Sequence, residues 1–287
     1  MSRQFINFNG EFYAKDEFVM GISNRSFKYG DGLFESMRWS QGELKFTDLH
    51  LERIRRGMDL LKLQDHLKIN SEFLHEKIEE LVYKNRTGPH ARARLTIFRN
   101  SDGLYSPVNN TIGYCLEVSK ANDWVYTGQS RGLIIDVFDE VPKPINILSS
   151  IKTCNALVFV LAGIFKKQFS LDDVLILNQN GFLCEAISSN LFVVYQGKVY
   201  TPALSEGCVA GIMRQVVMAL GRENGLEITE AQINPAILNE AEEVFLTNAI
   251  SGIQWVMGFN EKRYFNEVSR FLIGKLHLAR ISSTMFY

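Results

Sequence analysis

The sequence predicts a mixed α/β chain in two domains, residues 1–120 and 121–287. Three observations predict it. Strand–turn–strand patterns occur near the N-terminus and again across Asp173 to Pro202. Segments with apolar residues at helical spacing, 49–61, 71–85, 156–165 and 265–281, are interleaved with them. A polar stretch, Ser119 to Asp123, is the expected linker between the two. The 287 residues, 46% hydrophobic and 22% charged, suffice for one large domain or two medium ones.

Composition excludes several partners. A formal net charge of −1 leaves no basic footprint for nucleic acid or an anionic membrane. No apolar run approaches transmembrane length, and the opening residues lack a signal core, so a cytoplasmic protein is expected. Cys115, Cys154, Cys184 and Cys208 form no CxxC pair; they read as reduced and buried, and no metal site is expected.

In the first half, residues 4–14 read as a hairpin about Asn9-Gly10. Asn24 to Ser36 reads as a glycine turn entering a strand that runs through Trp39. A second hairpin turns at Gln41-Gly42, and Thr47 or Asp48 is placed to cap the helix Leu49 to Leu61. Ala91 to Phe98 alternates as a strand, with Arg92 and Arg94 on one face. Arg99 to Pro107 has loop chemistry, and Thr111 to Val118 is the last strand of this half.

In the second half, Leu133 to Val137 is a buried strand and Val141 to Pro144 a proline-interrupted loop. Lys152 stands just before the apolar helix Ala156 to Phe165. Three strands follow, turning at Asn180-Gly181 and Gln196-Gly197, with Glu185 on the second. Gly211 opens a helix to about Gly221, and free N–H groups at such a start bind anions. A second turn, Thr247 to Gly252, follows the strand Glu243 to Leu246.

A lysine at a loop-to-helix junction and a glutamate on a nearby strand suggest a pyridoxal 5'-phosphate (PLP) site. The lysine would form the Schiff base, and the carboxylate would keep the pyridine nitrogen protonated. By spacing alone, an exposed lysine and an ordinary strand glutamate are the commoner reading.

The motifs change that balance. Lys152-x-x-Asn155, Glu185-x-x-x-Ser189-Asn190-Leu191-Phe192, Thr201-Pro202 and Gly211-Ile212-Met213-Arg214 occur in an order that resembles the class IV aminotransferases. These are the fold-type-IV PLP enzymes: branched-chain and D-amino-acid aminotransferases and aminodeoxychorismate lyases. The resemblance implies two α/β domains with PLP at their interface, residues 121–287 forming the PLP-binding domain. It implies that Lys152 is the catalytic Schiff-base lysine and Glu185 the pyridine partner. Tyr29 to Glu35 is similar to the family's Tyr-Gly-Asp-Gly-Val-Phe-Glu segment, making Tyr29, Phe34 and Glu35 pocket candidates. His50-x-x-Arg53 resembles the family's His-x-x-Arg-Leu motif, with Ile54 at the last position, so Arg53 would contact the phosphate. Ile212 and Met213 would bind phosphate through their main chain. Asn248 and Ala249 occupy the second phosphate turn, with Ala249 where many transaminases carry threonine. Arg94 aligns with a substrate arginine of the branched-chain enzymes. Family members are usually homodimers in which a loop of one subunit closes the other's site.

The implied reaction is transfer of an amino group between a branched-chain or similar amino acid and a 2-oxo acid. Gly211-Ile-Met-Arg, Asn248-Ala249 and the lack of a tyrosine shortly after Lys152 resemble instead 4-amino-4-deoxychorismate lyase, which eliminates pyruvate to leave 4-aminobenzoate. Against the lyase, the loop at Gly103-Leu104-Tyr105 lacks an arginine. A non-catalytic PLP-binding protein is the third reading, and the joint presence of Lys152, Glu185 and Arg53 argues against it.

Overall fold

The computed structural model describes residues 3–18, 20–121, 126, 128 and 130–278. One compact unit holds the described residues through Ala121 together with Ile151–Asn155; the other holds Tyr126 through Ser150 and the described residues from Ala156 onward. Of the expected linker, Ser119 and Lys120 belong to a strand, while Asn122 and Asp123 lie outside the described residues, as do positions 279–281 of the expected last helix.

The first unit contains β1 (Phe5–Phe8), β2 (Glu11–Ala14), a short helix α1 (Arg25–Tyr29), β3 (Gly32–Ser40), β4 (Glu43–Leu44), α2 (Thr47–Leu60), α3 (Ser71–Lys84), β5 (His90–Arg99) and β6 (Ile112–Lys120). Its six strands form one antiparallel sheet in the order β2-β1-β6-β5-β3-β4. Helix α3 buries Leu74, Ile78 and Leu81, spaced four and three residues apart, so a single stripe enters the core. They pack in one cluster with Leu95 and Ile97 of β5 and Ile54 of α2. Burying each such side chain contributes about 2 kcal/mol.

Two local expectations change. The segment before β3 contains α1, capped by Asn24, whose Oδ1 accepts the Ser26 and Phe27 N–H groups at 2.9 and 3.2 Å. Helix α2 has no side-chain cap: Phe46 precedes it at φ 57°, and the Thr47 hydroxyl instead donates to Leu44 O at 2.8 Å.

The second unit contains β7 (Leu133–Lys143), α4 (Leu157–Gln168), β8 (Asp173–Asn178), β9 (Leu183–Ala186), β10 (Asn190–Tyr195), β11 (Lys198–Pro202), α5 (Ile212–Glu223), β12 (Ile228–Ala231), β13 (Glu243–Asn248), β14 (Gly252–Phe259), β15 (Lys262–Arg263) and α6 (Glu267–Leu278). Its mixed sheet runs β12-β11-β10-β13-β14-β7-β8-β9, with β15 on β14. Strand β13 is buried along Glu243–Thr247, as a strand covered on both faces must be, and Phe192 and Phe245 stack at 4.9 Å. On one side Ala162 of α4 packs with Phe138, Val174 and Ile176.

The expected loop Val141 to Pro144 is largely the end of β7. Its pairing with β8 shifts register between Phe138 and Lys143, and Lys143 lies opposite Asn178. Pro142, lacking an N–H, falls inside this irregularity, where a ladder bond is already lost. The cysteines are all free thiols; Cys184 and Cys208 are buried, whereas Cys115 and Cys154 are only half-buried, Cys115 because it alternates with the core residues Tyr114 and Leu116 along β6 and so lies on the other face of the strand.

Candidate active site

In the first unit the lysine segment is an extra strand-like partner of β3. Phe34 N–H donates to Lys152 O at 2.8 Å, Cys154 N–H to Gly32 O at 2.9 Å, and Leu33 pairs with Thr153. Asn155 Nδ2 donates to Gly30 O at 3.3 Å. Gly30 closes α1 at φ 65°, and a Cβ there would lie 2.5 Å from Asn155 Oδ1, so both backbone and space require glycine.

This pairing puts Lys152 Nζ 4.5 Å from the centre of the Phe34 ring. Arg94 Cζ lies 3.8 Å from the same centre. Arg94 reaches it diagonally, because β5 pairs with β3 in the register Ser36 to Arg94. Burial pushes the Arg94 guanidinium down from its ordinary value, with the Cys154 thiol acting the other way. Glu117, opposite it on β6, also acts to raise it but forms its ion pair with Lys15. Phe34, Arg94 and Lys152 thus stand together.

Tyr29 lies apart from that ring and faces the loop 100–111. Its ring is 5.4 Å from Tyr105 and 5.0 Å from Arg25 Cζ. Arg25 Nη1 donates to Gly103 O and Leu104 O at 3.0 and 2.5 Å, and its Nε to Asp31 at 2.7 Å. Arg99 reaches both oxygens of Asp31, Nε to the shared Oδ2 at 3.0 Å and Nη2 to Oδ1 at 3.2 Å. Burial works to raise the Asp31 carboxyl, but bonds from Arg99 and Arg25 hold it below its usual range. Arg25, which has no motif of its own, therefore anchors the loop.

Arg53 and His50, three apart on α2, share Glu35. Arg53 Nε and Nη2 donate to Glu35 Oε1 and Oε2, each at 2.7 Å, and His50 Nδ1 is 2.8 Å from Oε2. Glu35, expected as a pocket wall, is 1% exposed and instead orients Arg53. Burial would raise its carboxyl; the Arg53 charge and the His50 bond overcome this and hold it at about 2.

In the second unit Glu185 sits on β9. Its Oε2 accepts the Val209 N–H at 3.0 Å, and its Oε1 is ion-paired with Lys143. Sequence reading missed Lys143 because Pro-Lys-Pro reads as an exposed loop. Helix α5 begins with the N–H groups of Ile212 and Met213 behind Gly211, which provides no side-chain cap. A Cβ at Gly211 would collide with Asn190 Oδ1, and Asn190 Nδ2 donates to Val209 O at 2.8 Å. Arg214 ties this helix to β11 through Pro202 O at 2.9 Å and pairs with Glu230, linking two of the sequence motifs.

At the end of β13, Asn248 Oδ1 accepts the Ile250 and Ser251 N–H groups at 3.0 and 2.8 Å, and its Nδ2 donates to Ser189 Oγ at 2.9 Å. Its side chain builds the turn. Ala249 O accepts from Tyr126 Oη at 2.8 Å. Thr247 Oγ1 is buried with no hydrogen-bond partner among the described residues, a signal that no motif carried.

The groups present fit PLP. In the second unit an uncapped helix start and the orphaned Thr247 hydroxyl suit a phosphate, and in the first unit the oriented Arg53 is a guanidinium of the kind that binds one. Glu185 is a buried acceptor for a pyridine N–H, and Lys152 is the primary amine an aldehyde requires.

The Amino-transferase class IV family model matches residues 32–257. A putative branched-chain-amino-acid aminotransferase of Methanocaldococcus jannaschii is 26% identical over 255 residues, covering 86% of this chain and 85% of its own. An aminodeoxychorismate lyase of Vibrio harveyi is 26% identical over 260 residues, covering 89% and 92%. The fold matches that of the T.th. branched-chain amino acid aminotransferase solved with pyridoxamine 5'-phosphate, at TM-score 0.83 and 20% identity over 96% of this chain and 94% of that one. With the family model spanning residues 32–257, from β3 into β14, the chain belongs to the class IV aminotransferases.

Proposed function

We propose that this chain is a PLP-dependent aminotransferase acting on a branched-chain or similar amino acid and a 2-oxo acid. The observation that carries the reading is the Phe34 ring with Lys152 Nζ at 4.5 Å and Arg94 Cζ at 3.8 Å. It supports a shared role for an amine that moves protons and a guanidinium that binds a carboxylate. Lys152 takes the proton from the substrate α-carbon. Arg94 holds the substrate carboxylate. Arg53, Ile212, Met213 and the turn at Asn248 and Ala249 bind the cofactor phosphate, and Glu185 holds the proton on the pyridine nitrogen. Bound PLP supplies an electron-withdrawing ring that stabilises negative charge developing at the α-carbon.

A second reading, 4-amino-4-deoxychorismate lyase, is favoured by Met213 and by Ala249, which brings no hydroxyl to its turn. It uses the same lysine and cofactor. The visible spectrum of the purified protein, followed as single amino acids are added without oxo acid, separates the two. Conversion to the aminated cofactor makes the protein a transaminase and names its donor. A cofactor band unmoved by amino acids but turned over with aminodeoxychorismate makes it the lyase. Absence of any band after PLP addition overturns both.

We also propose a homodimer. Leu157, Val160, Leu161 and Ile164 line one face of α4 and are 77%, 53%, 42% and 58% exposed. An unbroken apolar stripe at this spacing suits a second copy. Light scattering should give a dimer, and Leu161→Glu with Ile164→Glu a monomer. No helix among the described residues is long and apolar enough to cross a membrane. The four free thiols support a cytoplasmic protein.

A further inference from the structure

We propose that Lys143 is a positioning residue for the reaction: its ammonium fixes and aims the Glu185 carboxylate, and so sets how firmly that carboxylate holds a proton on the pyridine nitrogen of bound PLP. The inference rests on the PLP reading above.

The geometry is confined to the second unit. Lys143 Nζ donates to Glu185 Oε1 and, at 3.1 Å, to Ser149 O, and it lies 5.4 Å from the centre of the Phe159 ring. The two side chains are 9% and 5% exposed. A carboxylate this buried needs a counter-charge, and Lys143 supplies it. It also shares the carboxylate, leaving a weaker acceptor than an unshared one.

Among the described residues the other titratable groups acting on Lys143 are the Cys184 and Cys208 thiols, and Glu206 acts in turn on Cys184. Burial pushes both thiols up, Cys208 to about 12, so they stay neutral. Glu206 accepts from Asn178 Nδ2 at 2.9 Å and from Gln232. Arg214, which faces Cys208, is bound to Pro202 O and Glu230. Lys143 is therefore the cation that hydrogen-bonds Glu185 among the described residues of this unit.

Lys143 makes a second connection within this unit, to the main chain at Ser149. Ser149, whose carbonyl it holds, donates through Oγ to Pro144 O at 2.8 Å, and Ser150 O accepts the Ala210 N–H at 2.9 Å. Val209, beside Ala210, is the residue whose N–H binds Glu185. The ammonium thus joins the carboxylate to Ser149, while the N–H groups of Val209 and Ala210 hold Glu185 and Ser150.

The test compares PLP-loaded wild type, Lys143→Met and Lys143→Arg. Borohydride reduction followed by peptide mass should fix the cofactor on Lys152 in all three. Loss of a buried positive charge eases proton uptake nearby, so the pH midpoint of the visible band should rise in Lys143→Met by on the order of one unit. Lys143→Arg should return it to the wild-type value. An unchanged midpoint in Lys143→Met overturns the proposal. Where Lys143→Met does not fold, Lys143→Met/Glu185→Gln is measured: recovery of folding supports the coupling, and failure of the double variant overturns it. Absence of a band in wild type refutes the PLP reading instead, while thermal melting of the same variants without cofactor still reports the coupling.

Discussion

Arg53 and Glu35 meet in a two-pronged ion pair, Nε to Oε1 and Nη2 to Oε2 at 2.7 Å each, with 2% of the glutamate side chain exposed. A guanidinium held in this way cannot rotate about its stem, so its direction is fixed. Adjacent residues of one strand therefore have opposite duties: Phe34 faces Lys152 and Arg94, while Glu35 turns to α2.

That pair makes stability depend on acid. The Glu35 carboxyl is held at about 2 against an ordinary 4.5. A carboxyl depressed on folding contributes stability above its unfolded value and loses it as pH falls through the folded one. The window is therefore from about 4.5 down to about 2, and the contribution is about 3 kcal/mol. Urea unfolding across this range should show wild-type stability declining more steeply than that of Glu35→Gln. Equal slopes would show that the pair does not stabilise the fold.

Lys152→Ala should keep the fold and lose the covalent cofactor. The segment is held by main-chain bonds, Phe34 N–H to Lys152 O and Cys154 N–H to Gly32 O, which alanine preserves. Circular dichroism should be unchanged while borohydride fixes no cofactor; a reducible linkage surviving in this variant would place the reactive amine elsewhere.

Arg94→Met should weaken substrate binding more than turnover. Removing a charge-assisted bond to a carboxylate costs about 1.5–3 kcal/mol, or roughly ten- to a hundredfold in KM. Steady-state kinetics with the donor found by spectral titration would read it. A kcat loss at constant KM would assign Arg94 to the chemical step.

Gly211→Ala should loosen the cofactor. Its Cβ would collide with Asn190 Oδ1, and Asn190 holds Val209 O, so the start of α5 must shift. PLP affinity, followed by fluorescence quenching, should fall about tenfold or more. Unaltered affinity would mean that Ile212 and Met213 do not bind the phosphate.

Much of this protein was legible without coordinates because its signals are local. The Asn180-Gly181 and Gln196-Gly197 turns, the stripe of Leu74, Ile78 and Leu81, and the glycine before α5 each act within a few residues. The ordered motifs around Lys152, Glu185 and Gly211 did the same for the family. Boundaries were less legible where a tertiary bond replaced a local one, as at Thr47, whose hydroxyl turns to Leu44 O rather than capping α2. Lys143 was invisible for the same reason: Pro-Lys-Pro carries loop propensity, and only pairing with Asn178 of β8 brings the lysine against Glu185. Periodicity, turn chemistry and motif order, written along the chain, determined the elements and the family. The partner of each buried charge, and the pairing of residues 151–155 with β3 more than a hundred positions earlier, was decided by the tertiary structure, because burial forces a charge or a backbone N–H to find whatever partner the fold brings near.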